Sequence, residues 1–265
     1  MADVTNPSAY AASVGDVAFP TSSKADIEAR SERLSPATIT IVLEDGSGEI
    51  QIPPTARTFD GFREWARSDE FPERGKFTFV AGELLVDMSP ESVEEHSDVK
   101  SELSRVLLNL VRDKKLGKLH IDGVLITNLE AHVSNEPDIV FLSTATLKSG
   151  RLTFTPEKGR PQSSKEIVGT VDWVLEIVSP SSRRKDTKLL REAYFKAGIP
   201  EYWLVDVLGD DIDFQILVPS KNGYIAVKPL DGWLASPTFG CSFRLTREKD
   251  EDDFLQYTLH IQENK

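Results

Sequence analysis

Two apolar runs each carry one carboxylate. Asp138 stands at the head of IVFL in SNEPDIVFLS, and Glu176 stands inside VLEIV in VDWVLEIVS. A carboxylate in a buried run is costly unless it is paired, bound to a metal or set at the edge of a site. Two of them at the ends of neighbouring strands make an oxygen-rich site for a hard divalent cation, Mg²⁺ or Mn²⁺, which takes one or two carboxylates with water and phosphate. The backbone carbonyl of Ile177 offers a third oxygen. Such an ion acidifies a water and offsets charge on a phosphoryl group under attack. The structural alternative has Asp138 capping a turn and Glu176 facing solvent from an edge strand. The hydrophobic residues on both sides of Glu176 argue against the latter.

Further candidates flank this pair. Glu83 follows the Ala81-Gly82 turn in FTFVAGELLVD, where spacing alone makes it a polar strand residue. His96 lies near a helix start and can orient a carboxylate, a water or a phosphate, or simply be exposed. Lys185 and Lys188 are three apart and can share a helical face. Either can reach back to the strand ends and steady an attacking water or an anionic transition state. Arg183 and Arg184 can hold a phosphate backbone. The bland alternative for each is a solvated helix-surface charge. Asp186 caps or braces this segment, and Tyr194, Tyr202 and Trp203 read as core or groove wall. Cys241 has no nearby histidine partner in sequence and is not taken as a nucleophile. P-loop, dinucleotide-binding, zinc and GxSxG signatures are absent.

The elements that must position these residues follow from periodicity. Residues 38–44 and 49–52 predict a hairpin around DGSG, and Thr58 caps a short helix carrying Phe59, Phe62 and Trp65. Residues 77–87 predict a second hairpin. Val99, Leu103, Val106, Leu107, Leu110 and Val111 mark one stripe of a helix over about 91–115. KLHIDGVLITNLE predicts one or two strands with a bend at Asp122-Gly123. Residues 144–168 read as a polar, mobile insertion with a short helix. In VDWVLEIVS, Val174, Glu176 and Val178 share one face and Trp173, Leu175 and Ile177 the other, so this strand is central and covered on both sides. A helix stopped by Gly198 and the strand EYWLVDV then complete an α/β rhythm. The tail predicts an antiparallel extension of the same sheet, with 252–262 as a final strand or short helix.

The chain has 265 residues, 39% hydrophobic and 28% charged, which suits a folded domain. Residues 1–36 predict a flexible arm and 37–265 a single domain. One cysteine excludes an intrachain disulfide and points to a reducing, cytoplasmic setting. No signal peptide or membrane-spanning run is visible. A net charge of -12 argues against non-specific coating of nucleic acid, yet residues 181–196 hold six Lys or Arg against two acids, next to the candidate site.

PD at 137–138, EIV at 176–178, SPSSRRKD at 179–186 and AGIPEYWLVD at 197–206 occur in order with GELLV at 82–86, the MSPE…H segment at 88–96 and FGCSFRL at 239–245. This set resembles the Uma-type restriction endonuclease family, long classed as a domain of unknown function, within the PD-(D/E)XK nuclease superfamily. The resemblance covers roughly residues 58–245; PD alone is weak, but the ordered set is specific. It implies an α/β restriction-endonuclease-like core, a mixed central sheet flanked by helices. It implies that Asp138 and Glu176 match two metal-binding acids, Glu83 a third, and His96 the histidine after the SP segment. The chain departs from the superfamily pattern at Val178, where lysine is usual. Many family members carry a lysine four residues after the match to Asp186, and here that residue is Leu190. Lys188, or nearly equally Lys185, must then serve. The implied activity is metal-dependent endonucleolytic hydrolysis of nucleic-acid phosphodiesters, DNA foremost, by a homodimer. The alternative is a weakly active or inactive nucleic-acid-binding or dimeric interaction protein.

Overall fold

The computed structural model describes residues 37–42, 49–157 and 159–263. The expected arm over 1–36 and the DGSG turn lie outside the described residues. β1 (Ile39–Val42) and β2 (Glu49–Ile52) pair antiparallel as expected. α1 (Phe59–Ala66) begins where the Thr58 hydroxyl accepts from the Gly61 amide, and it buries Phe62 and Trp65 against Phe71, Phe77 and Phe79. β3 (Lys76–Val80) and β4 (Glu83–Asp87) turn back at Ala81-Gly82, whose φ angles of 53° and 77° are those of a tight hairpin turn. A π-helical turn over Val93–Ser97 leads into α2 (Asp98–Asp113), whose expected apolar stripe is buried.

β5 (Gly117–Ile121), β6 (Leu125–Asn128), β7 (Val133–Asn135) and β8 (Ile139–Ser143) follow, then α3 (Thr144–Ser149), β9 (Thr153–Glu157) and β10 (Arg160–Val168). β11 (Trp173–Ile177) precedes a second π-helical turn, Lys185–Leu190, and α4 (Arg191–Lys196). β12 (Tyr202–Asp206), β13 (Asp213–Ser220), β14 (Gly223–Ala226), β15 (Leu234–Ser236), β16 (Cys241–Lys249) and β17 (Leu255–Glu263) complete the chain.

The central sheet runs β14-β13-β12-β11-β8-β5 and is mixed, because β11 and β12 are parallel while the other pairs are antiparallel. A second six-stranded sheet runs β4-β3-β7-β6-β10-β9. The chain crosses between them at Glu136-Pro137-Asp138, from β7 to β8. On β11 the period-two alternation is realised: Trp173, Leu175 and Ile177 pack with α2 and the C-terminal strands. Val174 and Val178 pack on the opposite face with Leu190, Ala193 and Tyr194. Glu176 belongs to that second face and is buried there.

Two expectations are corrected, and one alternative is decided. Residues 144–168 are not an insertion loop: after α3 they form β9 and β10, and β10 pairs parallel with β6 while burying Glu166 and Ile167. Their polarity reflects a hairpin largely open to water. The tail extends the central sheet only through β13 and β14; β15-β16-β17 form a separate antiparallel sheet. Residues 255–263 are strand, with Tyr257 and Leu259 turned inward at period two. Among the described residues, no helix is long and apolar enough to cross a membrane.

Candidate active site

Asp138 and Glu176 come together at the junction of the two six-stranded sheets. Both are buried, and both line one cleft of about 710 Å³ with His96, Ile177, Lys185 and Asp186. Each acid is held by a different kind of partner. Asp138 Oδ2 accepts from the Ile177 amide at 2.7 Å, which locks the end of β8 to β11. Its Oδ1 lies 3.3 Å from Lys76 Nζ and 3.1 Å from Lys100 Nζ. Antiparallel pairing of β5 with β8 also sets Asp122 beside it, so that Lys100 spans Asp122 at 2.8 Å and Asp138.

Glu176 is gripped by neutral groups. Its Oε1 accepts from Asn135 Nδ2 at 2.9 Å and from the Tyr194 hydroxyl at 2.6 Å. Asn135 is held in turn by Thr78, whose hydroxyl donates to its Oδ1 at 2.5 Å. Second-sheet side chains on β3 and β7 therefore orient a carboxylate on the central sheet. Oε2 faces Lys185 Nζ at 3.9 Å, and that ammonium lies 3.0 Å from Asp186 Oδ1.

These environments drive the two acids apart. Burial alone would raise the pKa of Asp138, but the His96 contact and the Lys76 and Lys100 charges outweigh it and hold the carboxyl well below the ordinary range. Burial pushes Glu176 up to about 8; Lys185 opposes the rise, and the Asp186 and Asp138 charges add to it. Burial likewise raises Asp186 against the pull of Lys185. For Lys185, burial is outweighed by Glu176 and Asp186, so its ammonium is strengthened. Pairs of carboxyls with opposite shifts are a mark of sites that handle protons or cations.

His96 reaches the cluster from the π-helical turn before α2, a local irregularity that often accompanies function. Its Nε2 lies 3.5 Å from Asp138 Oδ2, and its Nδ1 lies 3.0 Å from Glu91 Oε2 without hydrogen-bond geometry. Glu91, His96 and Asp138 thus present three ligand atoms within 4.8 Å of one another, a set able to hold a metal ion. The second π-helical turn supplies Lys185 and Asp186.

Other expected residues fall elsewhere. Lys188, the preferred lysine of the two, is exposed and does not line the cleft; its neighbour Lys185 does. Rotation of about 100° per residue makes a three-residue step tolerant, but the wider π-helical turn separates the two lysines. Glu83 is exposed at the far end of β4, 3.8 Å from Arg184, and is not brought to the acids. Glu91 occupies the place beside His96 instead. Arg183 pairs with Asp206 at 2.6 Å, whereas Arg184 is exposed and lines the cleft. Val178 and Leu190, where lysine was expected by resemblance, are apolar core. Sequence reasoning missed Lys76, Glu91, Lys100 and Asn135. Lys100 had a signal: it lies four residues after His96, and a lysine beside an apolar helical stripe needs a buried partner.

Comparison with curated proteins finds no match. Among solved structures, the chain is similar to a crystal structure from Anabaena variabilis described as a "putative nuclease belonging to DUF820". The TM-score is 0.50 at 21% identity, over 69% of this chain and 90% of that one, a likeness of fold. The family model described as "Uma2: Putative restriction endonuclease" matches residues 59–248. With residues of the PD, EIV, SPSSRRKD, GELLV and MSPE…H motifs lining one cleft and most of the chain inside the family match, the protein belongs to the Uma2 family of the PD-(D/E)XK nuclease superfamily.

Proposed function

We propose that the protein is a metal-dependent nuclease that hydrolyses phosphodiester bonds, DNA foremost. The observation that carries this reading is the pair Asp138 and Glu176: two buried carboxylates on adjacent strands of one sheet, facing one cleft, with Lys185 beside the second. The residues fit a hard divalent cation. Glu176 Oε2 lies 3.9 Å from Lys185 Nζ, while buried Asp186 Oδ1 and His96 Nδ1 lie 3.0 Å from Lys185 and Glu91 without hydrogen-bond geometry. Buried carboxylates that repel one another are stabilised by a cation between them. Asp138, Glu176 and the Ile177 carbonyl would hold Mg²⁺ or Mn²⁺, with Glu91 and His96 as an adjoining donor set.

When bound, such an ion lowers the pKa of a water and offsets charge on the phosphoryl group. The chain supplies the rest. Asn135 and Tyr194 fix Glu176 so that one oxygen stays directed at Lys185. Lys185, kept protonated by its acidic neighbours, orients the attacking water or donates to the developing oxyanion. Arg184, exposed at the cleft wall, can hold the phosphate backbone. A homodimer would bring one such site to each strand of a duplex.

The test is cleavage of a DNA and RNA panel with Mg²⁺ or Mn²⁺, beside Asp138→Ala and Glu176→Ala. Metal-dependent cutting by the wild type, lost in both variants, is expected. A wild type that binds no metal and cuts nothing would overturn the reading. Val178 and Leu190, apolar where lysine was expected, favour one competing function, nucleic-acid binding without cleavage. It predicts binding that survives both substitutions.

A further inference from the structure

Three lysines converge on the buried acids, and they differ in freedom. Lys100 is boxed in by Glu91, Asp122 and Asp138, with its side chain 9% exposed. Lys185 is anchored to Asp186, with 15% exposure. Lys76, at the first position of β3, has 40% of its side chain exposed. Its ammonium lies 2.7 Å from Glu91 Oε1 and 3.3 Å from Asp138 Oδ1. Alternation on β3 turns Lys76 and Thr78 toward the cleft and sends Phe77 and Phe79 into the aromatic core.

Lys76 also lines a second cleft of about 540 Å³, bounded by Arg74, Asp87, Glu91, Asp122 and Glu136. It therefore stands on the wall common to both clefts, and a chain molecule running from one into the other passes its ammonium. The stem is four flexible carbons on a strand-held backbone, so the charge can relocate without moving the fold.

We propose that Lys76 is a substrate-contacting cation of this site: it neutralises Asp138 and Glu91 while the metal is away, and it transfers to a phosphate of the nucleic acid once a divalent cation claims those carboxylates. The inference rests on the metal-dependent nuclease reading. The physical reason is competition for the same oxygens. A dication beside Asp138 replaces the attraction that holds the ammonium and adds repulsion between like charges. Lys100 is confined by Asp122 and cannot respond, whereas Lys76 has solvent and both clefts before it. Burial lowers the pKa of Lys76, but the Asp138, Glu91 and Glu176 carboxylates more than reverse this, so it remains an ammonium at neutral pH. No covalent step is involved.

The test separates Lys76 from a structural prop through two affinities that move in opposite directions. Mn²⁺ binding is measured by electron paramagnetic resonance on wild type, Lys76→Gln and Lys76→Arg. Binding of a cleavage-resistant phosphorothioate DNA duplex, and of an RNA strand, is measured by anisotropy across a salt series with Mn²⁺ present. Lys76→Gln is expected to bind Mn²⁺ about tenfold more tightly, because a competing charge worth ~1.4 kcal/mol is gone. The same variant is expected to bind nucleic acid about fivefold more weakly, with the slope of log K against log salt shallower by ~0.9, the signature of one lost phosphate contact. Lys76→Arg is expected to restore nucleic-acid binding. If Lys76→Gln leaves both affinities unchanged, or weakens both together, the inference falls and the nuclease reading stands. If the wild type binds no Mn²⁺, both fall. If it binds Mn²⁺ but neither nucleic acid, Lys76 is no phosphate contact.

Discussion

Replacing Glu176 by Gln in metal-free protein tests the electrostatics of the site without requiring a substrate. Burial and the neighbouring acids raise this carboxyl from an ordinary value of 4.5 to about 8. Between those values the folded state holds a proton that the unfolded state has released. Stability therefore falls as pH rises, by ~1.4 kcal/mol per pH unit for one such proton. Across the whole window the loss sums to ~5 kcal/mol as a ceiling. Glutamine is close to an isostere of the protonated acid, and its carbonyl keeps the hydrogen bonds from Asn135 and Tyr194. Chemical denaturation at pH 5, 6.5 and 8 in EDTA, on wild type and variant, isolates the Glu176 term as the difference between the curves. The variant should gain on the wild type by several kcal/mol from pH 5 to pH 8. Adding Mn²⁺ should then stabilise the wild type more than the variant, which has lost one carboxylate ligand but keeps Asp138, Glu91 and His96, because a bound ligand shifts stability by mass action. Parallel pH curves for the two proteins would refute the claim that Glu176 is a desolvated, proton-holding acid.

Two further predictions bear on the groups around it. Tyr194→Phe removes the hydrogen bond donated to Glu176 and the one accepted from Asn135, while Asn135 keeps its own to Glu176, so denaturation should show a loss of ~1.5 kcal/mol, toward ~3 kcal/mol as pH rises and Glu176 ionises. Lys185→Met should abolish metal-dependent cutting, whereas Lys188→Met, at an exposed position, should keep near-wild-type turnover and stay within about 0.5 kcal/mol in stability. Equal effects of the two substitutions in a nuclease assay would remove Lys185 from the site.

The alternation in VDWVLEIVS made the central strand legible, because only a strand covered on both faces explains apolar residues at every position of 173–178 but Glu176. The stripe of α2, the Thr58 cap and the Ala81-Gly82 turn were legible for the same reason: local geometry dictates those residue types. Residues 144–168 were misread, since a hairpin open to water and a loop share a polar composition. Which of Lys185 and Lys188 faces the cleft was not legible, because the π-helical turn at Lys185–Leu190 alters the angular spacing and nothing in KDTKLL announces it.

The sequence by itself determined that Glu176 would be a buried acid, since apolar neighbours in strand period leave its carboxylate nowhere else to go, whereas Asp138, preceded by Glu136-Pro137, also fitted a turn cap. Only the tertiary structure decided what surrounds them. Lys76, Lys100, Glu91 and Asn135 lie on strands, a helix and a connecting segment 38 to 62 residues away from the acid that each one faces. Their convergence depends on how two sheets meet at the Glu136–Asp138 crossover, a long-range register to which no local propensity contributes.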